Sequence, residues 1–269
     1  MTEKNKKPAE KVVKPYITGS PTDEKTLPGA LGFLGMLLLI GVMSFLVCSS
    51  LSFDSLPLRI LLNGVVALAG PAVLYSNAVG KGAEAVARGE ILWQKKEKGK
   101  DYSASEKAIC FHPMKGYLTA LIGSLPILLC AAALAVMAAP QTTEAGTLPG
   151  WLNAYRRRSD IGNALAAYAA APGLTAEDAL RMIVRVALMP FVAMIGGENR
   201  QGMLLLERLS PLILLIPACA YGTGYLQGRR ERTRIHTGIA ESIRQRARRE
   251  RKARKKRAAG KPRTPEQLN

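Results

Sequence analysis

Charged residues are missing from four stretches of this 269-residue chain, 26–53, 60–80, 116–143 and 209–228, and are crowded between and beyond them. A soluble domain scatters its charges, so this partition constrains the fold more than any motif does. A helix of about 20 residues at 1.5 Å rise crosses roughly 30 Å of hydrocarbon with every backbone polar group satisfied internally, and each gap is long enough to do so. The mean hydropathy of +0.06 hides this pattern because the polar segments cancel it.

The expected fold class is all-α: a polytopic membrane protein with four transmembrane helices at about 28–50, 58–79, 116–139 and 209–227. The residue pattern adds an amphipathic interfacial or re-entrant helix and a basic C-terminal helix. The chain then divides into a polar arm (1–26), a membrane domain (27–228) and a basic tail (229–269). The first stretch reads as an uncleaved signal anchor, since a charged, proline-containing leader precedes it and its apolar run is too long for a signal-peptide core.

Orientation follows from the lysines and arginines. With the N-terminus inside, 30 of the 38 basic residues fall on the inner side, in the arm, the loop 80–115 and the tail, and eight fall outside. Positive-inside bias therefore predicts a multi-pass protein of the plasma membrane with both termini cytoplasmic. A fifth span over 179–197 would send a large basic segment to the wrong side in either orientation. It would also bury Arg181 and Arg185 at a cost of about 2.5 to 3.5 kcal/mol each. That segment is assigned to the outside instead.

The arm, with Pro8, Pro15 and Pro21 and no apolar period, reads as disordered or loosely surface-bound. A short turn through Asp54 and Pro57 predicts that the first two spans pack as an antiparallel hairpin. Asn63, Pro71, Thr119, Ser124 and Pro126 within the spans either line a pathway or have a plain use, which is expected: Ser, Thr and Asn bond across helices or back to their own backbone, and Pro is tolerated in membrane helices. In the loop 80–115 a helix over 83–98 is expected to lie along the inner membrane surface. Trp93 and Tyr102 beside Lys95, Lys96, Lys98 and Lys100 suit a headgroup zone. Ser103 and Glu106 have capping-box spacing. The four cysteines are expected to be free thiols.

The external segment 140–208 is nearly neutral, with seven basic and six acidic residues. Trp151, Tyr155, Tyr168 and an alanine-rich run over 164–171 predict a short helix stopped by Pro172 and Gly173. A second, amphipathic helix follows, capped by Thr175 with Asp178. Glu177, Arg181 and Arg185 recur on one face, with Leu180, Ile183, Val184, Ala187 and Leu188 turned away, and the helix continues through Pro190 to Ile195. Two uses of Arg181 and Arg185 compete: contact with an anionic headgroup or substrate, or a Glu177–Arg181 pair with both arginines snorkelling to the interface. In the last span, Gly224-x-x-x-Gly228 has the spacing of close helix pairing but needs a partner face.

The tail carries sixteen basic and four acidic residues. Ile235, Ile239, Ile243 and Ala247 form a helical stripe, so the last span is expected to continue as a helix. Arg244, Arg246, Arg248, Arg249, Arg251, Lys252, Arg254, Lys255, Lys256 and Arg257 are the candidate contacts for anionic lipid, RNA, a ribosome or a protein partner. A topological anchor that stays solvated is the plain alternative. The tail has no aromatic residue for base stacking, which argues against sequence-specific RNA reading.

Enzymatic motifs are missing. The chain has two histidines, His112 and His236, and lacks the nucleophile-elbow, P-loop and zincin patterns. Cys110 and His112 have no second ligand pair beside them in sequence. No catalytic residue, metal or cofactor is assigned. The expected function is a non-enzymatic accessory or scaffold protein contacting lipids or partner proteins. The alternative is a component of a transporter or membrane-insertion system whose tail meets ribosome, RNA or anionic lipid.

Overall fold

A computed structural model describes residues 12–50, 55–138, 150–169, 176–196 and 199–259, and every regular element among them is helical. In chain order these are α1 (Thr26–Ser50), α2 (Leu56–Glu97), α3 (Ala104–Ala108), α4 (Lys115–Met137), a 3-10 helix (Gly150–Arg157), α5 (Gly162–Ala169), α6 (Ala176–Ala187), α7 (Met189–Ile195) and α8 (Arg200–Ala259). Among the described residues, four helices, α1, α2, α4 and α8, are long and apolar enough to cross a membrane. Their outward faces carry exposed Leu39, Leu61, Leu68 and Leu129. Water penalises such a surface, and acyl chains accept it.

Glycine contacts set the helix directions. Gly29 meets the Thr119 methyl and Gly123 lies against the Ala30 carbonyl, so α1 and α4 run parallel. α8 runs the opposite way along α4: the Ser210 hydroxyl reaches the Ala131 carbonyl at 3.5 Å, and Gly222 sits under the Tyr117 ring. Because α4 and α8 are antiparallel, the segment between them begins and ends at the same end of the bundle. α2 runs parallel to α8, and here Gly224-x-x-x-Gly228 finds its partner face. Gly224 rests on Tyr75 and Ala78, Gly228 on Gly82 and Ala83, and Gly82 lies under the Tyr225 carbonyl, closer than any Cβ allows. One apolar cluster (Phe33, Leu74, Ala120, Tyr221) fills the half of the bundle nearer the N-terminus of α1. A second (Ile127, Leu134, Val184, Leu206) fills the other half.

Three features depart from the sequence reading. The helix over 83–98 does not turn off along a surface, because α2 runs unbroken through Pro71 to Glu97 beside α8. Gly82, past the apolar stretch, still admits α8, and Glu90 meets Arg232 and His236 beyond it, so the pairing continues too, while Gly89 lies against Tyr16 and Ile17 of the arm. The arm is not loose over 12–25. Its amides donate from Val12 to Thr237 Oγ1 (3.2 Å), from Ile17 to the Gly89 carbonyl (3.1 Å) and from Gly19 to the Phe111 carbonyl (2.9 Å), and residues 1–11 lie outside the described part. Finally, α1 and α2 touch at Ile40 and Gly70 but do not zip together, since Pro190 and Phe191 of α7 lie with them around an apolar cavity of about 500 Å³. Asp54 of the connecting turn lies outside the described residues.

Other expectations match. Asn63, Thr119 and Ser124 each donate to their own helix, to the carbonyls of Arg59 (2.8 Å), Lys115 (2.8 Å) and Leu121 (3.0 Å). Ser103 and Glu106 form the capping box of α3. The four cysteines are unpaired. α5 is the alanine-rich helix, and a 3-10 turn bearing Trp151 and Tyr155 packs against it. The expected stop at Pro172 and Gly173 and the Thr175 cap lie outside the described residues.

Candidate functional site

Among the described residues two glutamates are buried, one toward each end of the bundle, and each is held by two basic side chains four residues apart. At the end where α4 stops and α8 starts, Glu207 has a side chain only 3% exposed. Arg181 Nε donates to its two oxygens at 3.1 and 3.2 Å, and Arg185 donates through Nε at 3.1 Å and Nη2 at 2.6 Å. Arg181 also bonds Glu177 Oε1 at 2.7 Å and lies 3.8 Å from Asp178. The spacing puts both guanidiniums on one face of α6, and a buried charge persists only when paired in this way.

This corrects the snorkelling reading of Arg181 and Arg185. The Glu177–Arg181 pair is present, but both arginines turn inward to Glu207, one turn before the Ser210 that contacts α4. α6 also ends at Leu188, whose φ of −104° and ψ of 20° break the helix, and Pro190 starts α7 instead of sitting within one helix. The chain returns through Gly196, at φ +81°, which lies against the Arg59 guanidinium. α6 and α7 are therefore a bent pair packed among α1, α2, α4 and α8.

At the other end, Glu90 of α2 is 5% exposed. Arg232 reaches its Oε2 at 3.0 and 2.9 Å, and His236 Nε2 lies 2.7 Å from its Oε1. Sequence reasoning missed this cluster. The available signal was an acidic residue two turns beyond the Gly82 that admits α8, facing basic residues at i and i+4 on that helix. Around it the arm forms a strap. Tyr16 meets Phe111 edge to face at 6.1 Å, Phe111 stacks on Tyr225 at 5.4 Å, and the Arg229 guanidinium lies over Tyr16. Asp23 ends the strap. Burial pushes its carboxyl up, but hydrogen bonds from Lys115 Nζ at 2.8 Å and from the Thr26 hydroxyl hold it below the usual carboxylate range.

The tail is one helix with the last span, as expected, and α8 runs 60 residues in all. With Glu90 level with His236, the end of α2 falls beside roughly residue 243. Beyond it Arg244, Arg246, Arg248, Arg249, Arg251, Lys252, Arg254 and Lys255 are all exposed, and Lys256 and Arg257 continue the same helix. The structure brings these residues together as a basic rod and keeps them apart from Arg181 and Arg185, which sit toward the opposite end of α8. The chain matches no protein-family model, no curated protein and no solved structure.

Proposed function

We propose that this is a non-enzymatic membrane scaffold that holds a basic helix clear of the bilayer and presents it to the phosphates of RNA without sequence preference. In this reading the four long helices span the plasma membrane with both termini cytoplasmic, and α6–α7 is a re-entrant pair entering from outside. The observation that carries it is the continuity of α8 from span to exposed basic rod. From Gly228, where the charge-free stretch ends, to Arg244 is about 24 Å along the helix. The Debye length in physiological salt is about 8 Å, so the rod's charge is largely screened from lipid headgroups at that distance. Its paired base, braced by Glu90 and the strap, keeps it from lying down, and a polyanion in solution meets it on every side.

The test uses the full chain in neutral-lipid nanodiscs. Unstructured RNA should bind with strong salt dependence between about 50 and 200 mM. Replacing Arg248, Arg249, Arg251 and Lys252 with Gln should flatten the logarithmic salt slope by roughly three. An unchanged slope, or binding confined to anionic vesicles, would refute the reading. Ribosome sedimentation well beyond that of bare RNA with equal phosphate would shift it to a membrane-insertion component.

A further inference from the structure

The charge-free stretches of all four long helices end around one cavity of about 540 Å³. Its wall takes Lys25 and Thr26 at the start of α1, Lys81 where the apolar part of α2 gives way to charge, Lys115 at the start of α4, and Tyr225 near the end of the apolar part of α8. Four basic and two acidic side chains line it. Asp23 is spent on Lys115 at 2.8 Å, and Glu84 pairs with Arg88 one turn later. Lys25 and Lys81 have no carboxylate within ion-pair reach among the described residues, and the Lys81 ammonium lies 5.9 Å from the centre of the Tyr221 ring.

The second observation is independent of charge. Tyr225 is 94% buried and lines this cavity, yet among the described residues its phenolic hydroxyl has no hydrogen-bond partner. Buried hydroxyls are almost always bonded, and a lone one in a polar cavity marks a place for an acceptor. Here the unused groups are a hydroxyl and two ammoniums, all able to donate. The N-termini of α1 and α4 add their partial positive charge at the same level.

We propose that this cavity binds a phosphate group, supplied by the headgroup of an anionic phospholipid. A phosphodiester offers only acceptor oxygens, and the Tyr225 hydroxyl, Lys25 and Lys81 in the cavity lining can all donate. The position fits as well. The boundaries 25–26, 80–81, 115–116 and 228–229 lie at the level where spans pass from acyl chains to headgroups. The apolar faces of α1 and α4 below them offer a surface for the acyl chains. This site is separate from the basic rod and does not rest on the RNA reading.

The experiment measures phosphatidylglycerol retained by the delipidated full chain in neutral detergent, by native mass spectrometry, with inorganic phosphate as competitor. Lys25→Gln with Lys81→Gln should lower retention about thirtyfold, from two lysines near a headgroup. Tyr225→Phe should lower it on the order of tenfold by removing one donor to a charged acceptor. Arg248→Gln with Arg249→Gln, which removes the same net charge from the rod, should leave it unchanged. Competition by millimolar inorganic phosphate with the same residue dependence would assign the site to the free ion. Retention indifferent to the lysine pair, or reduced equally by the rod pair, would overturn the site. Both lysines are exposed, so the fold survives that variant.

Discussion

The two ends of the bundle solve the same electrostatic problem with different scaffolding. Glu207 and Glu90 are each buried, and each is met by a pair of basic side chains at i and i+4. At the Glu207 end the pair rides on α6, a helix of 12 residues followed by a break, whereas the other pair has a different support. At the Glu90 end they ride on α8, already locked to α2 by glycine contacts at Gly82, Gly224 and Gly228. The first clamp therefore positions its helix by charge. The second completes a register that shape has chosen.

The sharpest way to break that comparison is to remove each carboxylate. Glu207→Ala takes from two guanidiniums, one of them only 9% exposed, the buried carboxylate they share, and should cost about 3–5 kcal/mol in thermal or denaturant unfolding. Glu90→Ala should cost less, about 1.5–3 kcal/mol, because its one guanidinium, Arg232, is 29% exposed and can be rehydrated, while the buried partner there is the His236 imidazole and not a second guanidinium. Equal costs would mean that the glycine seam does not support the Glu90 clamp.

The seam itself comes next. Gly228→Leu pushes a side chain into the α2 backbone and should destabilise by about 1–3 kcal/mol, while loosening α2 from α8 without unseating α6. Gly238→Ala on the same helix meets nothing within 4 Å and should stabilise by about 0.5–1 kcal/mol. A neutral Gly228→Leu would remove the close approach from the account.

The smallest effect is a pH dependence from the strap. Asp23 has its folded-state pKa held below the usual value, so its contribution is complete above the unfolded carboxylate pKa and is lost as pH falls through the lower folded value. Melting temperature should therefore drop more steeply toward acid in the wild type than in Asp23→Asn. Parallel curves would show that the Lys115 pair adds nothing.

Parts of this were legible in advance for identifiable reasons. The capping box at Ser103 and the continuation of α8 along Ile235, Ile239 and Ile243 depend on neighbours within a turn or two, and local sequence carries them. The Glu177–Arg181 pair is of the same kind. The partner of both arginines is not, because Glu207 lies 26 and 22 residues away and only the packing of α6 on α8 brings it there. The strap was misread because its residues have no apolar period. Its hold comes from backbone amides and from single rings, Tyr16 and Phe111, that no repeating pattern announces.

By itself the sequence determined that this chain is helical and has four stretches able to span a membrane, since hydrocarbon admits neither bare backbone polar groups nor unpaired charge. Only the tertiary structure decided which helices pair, where Glu207 and Glu90 find their basic partners, and that the four long helices enclose a cavity where their charge-free stretches end beside Lys25, Lys81 and Lys115. Those depend on side chains far apart in the chain meeting at contact distance.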